Sequence, residues 1–171
     1  MVFARSAQTH RCLNMQFEQH RVKKIYRAVT NGVPLWNERS ARHSLTTNIG
    51  HKHRTVVNHK KGKQSRTDFS VLNRSQEHAL LEAQPFSGRT HQVRVHACAL
   101  GFPLLGDQLY GDSTTNLIGR PALHAYTLVL QIPKSQDWTT DLEDADSWYP
   151  STFSASCPED FSFALNALSL A

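Results

Sequence analysis

The chain has 171 residues, 39% hydrophobic and 19% charged, with a formal net charge of +5. That length suits one domain with an ordinary core, and no run approaches the roughly 18 apolar residues a membrane span needs. Cys12, Cys98 and Cys157 are far apart and form no C-x-x-C pair, which argues against a disulfide framework or zinc knuckle and for thiols in a reducing compartment.

Charge is unevenly spread. Residues 1–134 hold all 19 Lys and Arg against seven acids, a net +12, whereas 135–171 hold seven acids and no Lys or Arg. A body this basic points to a polyanion, most simply nucleic acid. The start, MVFARSAQTHR, lacks the apolar core of a secretory signal, so the expected compartment is the cytoplasm.

Residues 1–5 read as the end of a strand. Ser6 is a candidate N-cap for a helix to about Gln19, with Leu13 and Phe17 at i, i+4. Ile25–Val29 alternates as IYRAV, a half-buried strand with Tyr26 and Ala28 on one face. Gly32-Val33-Pro34 marks a turn. Trp36 to Arg66 is polar and basic, with Val56-Val57 as a short strand seed. His51, His53 and His59 have no carboxylate or cysteine to complete a metal set, so a solvated hairpin facing nucleic acid is expected there. Asp68–Leu72 and Ala79–Gln84 read as neighbouring strands joined by a turn.

The stretch SGRTHQVRVHACALGFPLLGDQLYGD, 87–112, packs Arg89, His91, Arg94 and His96 into eight residues. Thr90 as N-cap and Gly101 as C′ residue predict a helix over 91–100, with Cys98 on its apolar face. Arg89 then stands at the helix mouth and Arg94 one turn in on the same side, an arrangement for phosphate or carboxylate. Residues 120–133 read as a strand and 135–146 as an acidic turn region. A C-terminal helix with Pro158 at N1 is expected to pack on the sheet.

GRTHQVRVH, a helix and then GFPLLGDQLYG resemble the third signature motif of the RluA-type (RluA/RsuA-like) RNA pseudouridine synthases, GRTHQ-x-R-x-H…G-x-P-[IL]-x-GD-x-x-Y. Three more segments are similar to the family's. VKKIYRAV resembles its K-x-Y-x-A-x-V strand, KGKQSRTDFSVL its GK-x-[AS]-x-T-x-[FY]-x-V-L segment, and RPALHA its [RQ]-x-A-L-H-A segment. The resemblance runs from Met1 to about residue 165.

It implies an α+β fold in one domain over 1–171: a mixed, largely antiparallel sheet flanked by helices, with a central RNA-binding cleft. It implies no cofactor or metal, and structured ribosomal or transfer RNA as partner of a monomer. A uridine is flipped from the RNA; an aspartate attacks or assists at the sugar, and the uracil detaches, turns and rejoins through carbon 5. Arg94 would pair with that aspartate, and Tyr26 would lie against the flipped base. Expected RNA contacts are Arg89, Thr90, His91, Gln92 and His96 of the motif, with Lys23, Lys24, Lys61, Lys63 and Arg66 of the basic segments.

In the family the aspartate stands in H-R-L-D-x-x-[TS]-S-G, just ahead of a segment like MVFAR. No such phrase occurs in these 171 residues. Asp107 belongs to the GD turn and Asp68 to another motif. A fragment or start-site error is the expected explanation; an RNA binder without catalysis, or a second chain completing the site, are the others. The competing class is a non-catalytic RNA-binding protein on the same fold. A metal-dependent nuclease is disfavoured, because no acid cluster adjoins the basic motif.

Overall fold

The computed structural model describes residues 2–50, 54–111, 115–135 and 137–171. Helix α1 (Ala7–Glu18) starts where Ser6, in extended conformation, accepts the Thr9 N–H at 3.1 Å through its hydroxyl, one of the orphan donors of a helix start satisfied by a side chain. Strand β1 (Lys23–Asn31) follows, then β2 (Glu38–Ile49), β3 (Arg54–Val57), β4 (Lys63–Arg74) and β5 (His78–Pro85). After helix α2 (Gln92–Ala99) come β6 (Leu123–Pro133), β7 (Trp148–Ser154) and helix α3 (Glu159–Ala167). The strands form one sheet in the order β3-β2-β4-β5-β1-β6-β7 with every pairing antiparallel. An α+β fold with a largely antiparallel sheet was the expectation, and the sheet bears it out.

Period-two alternation divides the sheet into two packed faces. On one, Ala28, Ala41, Phe69, Leu81 and Ala83 meet Val93 and Ala97 of α2, with Tyr26 packed beside them. On the other, Val29 and Leu80 meet Phe161 and Leu165 of α3. Helix α1 covers β6 through Leu13, Val22 and Leu130. Fully burying a side chain such as Phe69 or Phe161 stabilises the fold by about 1.5–3 kcal/mol.

Several expectations need correcting. Residues 2–5 carry no strand pairing, and Phe3 is exposed. Strand β2 pairs antiparallel with β3 in the stretch expected to hold a hairpin, but its twelve residues were not delimited, because only Ala41 and Leu45 mark its buried face among polar neighbours. Strand β7 was also missed; its Pro150 reads as a breaker, yet an edge strand tolerates a residue with no N–H. Thr90 is not the cap of α2. His91 holds that position with a left-handed φ of 55° and no side-chain cap bond, while Gly101, at φ 89°, closes the helix as expected. Pro158 is the N-cap of α3 rather than its first residue. His51, His53 and Asp112 lie outside the described residues.

Candidate active site

Helix α2 lies against β4, and the polar residues at that contact fall into two sets. Ser65 and Thr67 stand on the buried face of β4 beneath the helix. Ser65 donates its one hydroxyl proton to the His43 carbonyl at 2.6 Å, so toward His96 Nε2, 3.0 Å away, its oxygen must accept. His96 therefore carries its proton on Nε2. Its Nδ1 accepts from the Thr67 hydroxyl at 2.9 Å, and that hydroxyl accepts from Gln92 Nε2 at 3.1 Å. Gln92 Nε2 also donates to the Arg66 carbonyl at 3.0 Å. Its Oε1 accepts from the Ser87 hydroxyl at 2.6 Å and the Arg89 N–H at 3.1 Å. The chain is closed and neutral, and burial drives the His96 pKa down to about 4, with the neighbouring His43 adding to the shift.

The second set faces the other way. Arg94 donates from Nε and Nη2 to the two oxygens of Asp107, both at 2.7 Å, a bidentate fork. Asp107 is fully buried and its Oδ1 also accepts the N–H groups of Leu109 and Tyr110, at 3.1 and 3.2 Å. Gly106 sets this turn: it has φ 71°, and a Cβ there would meet the Arg120 carbonyl at 2.5 Å. Tyr110 accepts the Thr55 N–H at 2.8 Å, and its hydroxyl lies in hydrogen-bond contact with His91 Nδ1 at 2.9 Å. The guanidinium groups of Arg94 and Arg54 lie 4.9 and 5.7 Å from the Tyr110 ring centre. Burial, and then Arg94, lower the His91 pKa. Nη1 of Arg94 makes no hydrogen bond to a described residue.

A sequence model of the RNA pseudouridylate synthase family matches residues 1–99. The chain belongs to that family. It is 38% identical over 130 residues to an uncharacterized RNA pseudouridine synthase of Zymomonas mobilis, covering 75% of this chain and 59% of that protein. It is 31% identical over 185 residues to the ribosomal large subunit pseudouridine synthase D of Neisseria meningitidis, covering 99% and 45%. The chain spans about half the length of the curated relatives it matches. Among solved structures, human RNA pseudouridylate synthase domain containing 4 superposes with a TM-score of 0.71 at 20% identity, over 96% of this chain and 69% of that one. Domain containing 1 gives 0.61 at 28%, over 96% and 71%. The pseudouridine synthase fold is thereby shown.

Not all the residues singled out in the pseudouridine synthase motif are free to bind. Gln92 and His96, expected as RNA contacts, are buried with their hydrogen-bonding capacity spent inside the protein; they shape the ground under α2. His91 is half-buried and hydrogen-bonded to Tyr110. Arg89, Thr90, Lys61 and Lys63 line one cavity of about 290 Å³. Arg66 is ion-paired to Asp68, stacks over Phe86 with 4.4 Å to the ring centre, and lines a cavity of about 590 Å³ with His43 and His59. Lys23 is exposed, whereas Lys24 reaches the Ser87 carbonyl at 3.4 Å and burial lowers its pKa.

Tyr26 and Ala28 share the face of the sheet that carries α2, as the alternation implies. The Tyr26 pKa is raised by burial. It lines an apolar-walled cavity of about 620 Å³ with Phe17, Tyr126 and Phe153. Arg94 is not among that cavity's lining residues; its charge is turned to Asp107 and Tyr110. The partner of Arg94, Asp107, and the ring against it, Tyr110, were missed as site residues although both stand in the motif's GD-x-x-Y. Among the described residues no group of three or more His, Cys, Asp or Glu could hold a metal.

Proposed function

We propose that this chain takes part in isomerising uridine to pseudouridine in RNA, most simply ribosomal RNA. Membership of the pseudouridylate synthase family supports the reaction, and the Neisseria relative, a ribosomal large subunit pseudouridine synthase, supports the substrate. The observation that carries the reading is Arg94, locked by Asp107 on one edge and unengaged at Nη1. Fixed this way, a guanidinium can receive and orient a second carboxylate while holding it ionised. Tyr26 is the proposed stacking surface for the base.

No aspartate in the two candidate motifs is available for attack at the sugar. Asp107 is buried with both oxygens committed. Asp68 accepts from Ser40 at 2.6 Å and is ion-paired with Arg66, which holds its carboxyl below the usual range. The 171-residue chain is thus proposed to bind RNA and to convert uridine only when a carboxylate is presented to Arg94. That commitment of both aspartates also favours the second reading, RNA binding without catalysis by this chain. Cytoplasmic residence and a monomeric state belong to the same proposal.

The test uses a ribosomal RNA transcript labelled with tritium at carbon 5 of uridine, which loses the label on conversion. The chain should retain the transcript on a filter at low salt and release no tritium. Retention that is absent at low salt would remove the RNA reading; tritium release would place a working nucleophile within these residues.

A further inference from the structure

The cavity of about 290 Å³ beside the start of α2 is built differently from the rest of the basic surface. Its walls include Thr46 of β2, Lys61 and Lys63 at the entry to β4, and the loop residues Gly88, Arg89 and Thr90. Two polar atoms of these walls, Thr46 Oγ1 and Arg89 Nε, are buried and have no hydrogen-bond partner among the described residues. Buried donors left unpaired cost about 1–3 kcal/mol each, a strain that a ligand rich in acceptor oxygens would relieve. The side chains of Lys61, Lys63 and Arg89 form no ion pair with a described residue, whereas Arg21, Arg27, Arg66, Arg94 and Arg120 each have one. No acidic residue lines the cavity.

The two lysines are not on a loose tether. Asn58 Oδ1 accepts the N–H groups of Lys60 and Lys61, both at 3.1 Å, and Gly62 N–H donates to the Asn58 carbonyl at 2.8 Å. Gly62 lies so close to β2 that a Cβ would meet Leu45 N at 2.7 Å. From the other side, the Arg89 N–H is anchored by Gln92 Oε1. Cations from two separately fixed segments therefore line one volume, with Thr46 in its wall.

We propose that this cavity is a subsite for a single phosphate of an RNA backbone. Three cationic arms and a hydroxyl suit an anion with several acceptor oxygens, and the cavity adjoins the basic surface of β2 and β4. The assignment rests on the reading that the chain binds RNA, and it goes further by naming one phosphate and the residues that hold it.

The experiment is a titration of a labelled 20-nucleotide RNA hairpin with the full chain and its Lys61→Gln, Arg89→Gln and double variants, from 50 to 300 mM KCl. Circular dichroism checks that each variant is folded, and Thr46→Val serves as a variant that changes no charge. Each single charge variant should weaken binding about three- to tenfold, equally for hairpins of different sequence. The double variant should flatten the plot of log K against log salt by about one phosphate's worth, 0.7 to 0.9, and not by twice that. Thr46→Val should weaken binding by a smaller factor and leave the slope alone. Lys134→Gln, remote from the cavity, should do neither.

A double variant that loses two phosphates' worth of slope, or variants that bind as the parent does, would overturn the subsite while leaving RNA binding intact. A parent chain that binds no hairpin at 50 mM KCl would overturn the RNA reading, and the subsite with it. Inorganic phosphate at 1–50 mM should compete with the hairpin in the parent. Phosphate binding at Arg89 without competition would mean a free-anion site and contradict the assignment.

Discussion

The two sides of α2 show one motif put to opposite uses. Toward β4, Gln92 and His96 are closed into a chain of neutral hydrogen bonds running from the Ser87 hydroxyl to the His43 carbonyl. Away from that network, Arg89 keeps a buried nitrogen without a partner among the described residues and lines a cavity with Lys61 and Lys63, and Arg94 keeps Nη1 without a hydrogen bond to a described residue. A satisfied buried network rigidifies, and an unsatisfied charged rim binds. The residues alternate within GRTHQVR, so nearness in sequence says little about which task a residue takes.

The largest effect should come from breaking the buried ion pair between Arg94 and Asp107. Asp107→Ala leaves the Arg94 guanidinium, only 16% exposed, without its partner. Urea unfolding should show a loss of about 3–5 kcal/mol. A loss below about 1 kcal/mol would make the pair an ordinary surface contact and undo the claim that Arg94 is rigidly held.

Next is acid. The folded His96 has a pKa near 4 against an ordinary 6.5, so between these values the unfolded chain binds the proton and the folded chain does not. The contribution is complete above pH 6.5 and is lost as pH falls to 4, a decline of about 3 kcal/mol. Unfolding curves at pH 7 and pH 4.2 should show it, and His96→Asn should lose most of the difference. Equal pH dependence in both proteins would mean that the closed network does not exclude the proton.

Gln92→Leu is expected to cost about 2 kcal/mol, because Ser87, Thr67 and the Arg89 N–H are then left without their partner. Its RNA affinity should fall less than that of Arg89→Gln, since it loosens the loop without removing a charge. The smallest change is Arg66→Gln. Its pair with Asp68 is partly solvated, and thermal unfolding should register the smallest shift of the series.

Much of this was legible in the sequence, for identifiable reasons. The α2-bearing face of β1 followed from the alternation of Tyr26 and Ala28, and the end of α2 from the left-handed conformation that Gly101 supplies without strain. The long strand β2 was hidden because a strand at the rim of a basic surface keeps only two apolar positions on its inner face. Gln92 and His96 were read as ligands because side-chain type gives no sign of burial; their fate depends on Ser65 and Thr67, some 25 to 31 positions away. The partnership of Arg94 with Asp107 crosses a helix and a turn, so spacing alone does not reveal it.

The most direct measurement follows the arginine Nε–H, glutamine amide and imidazole resonances of the isotope-labelled chain by NMR as a uridine-containing RNA hairpin is added at low salt. The Arg89 and Arg94 signals should move and saturate with the RNA, while those of His96 and Gln92 stay within a small fraction of that shift. Large movement at His96 and Gln92 with silent arginines would contradict the division of α2 into a closed side and a binding side.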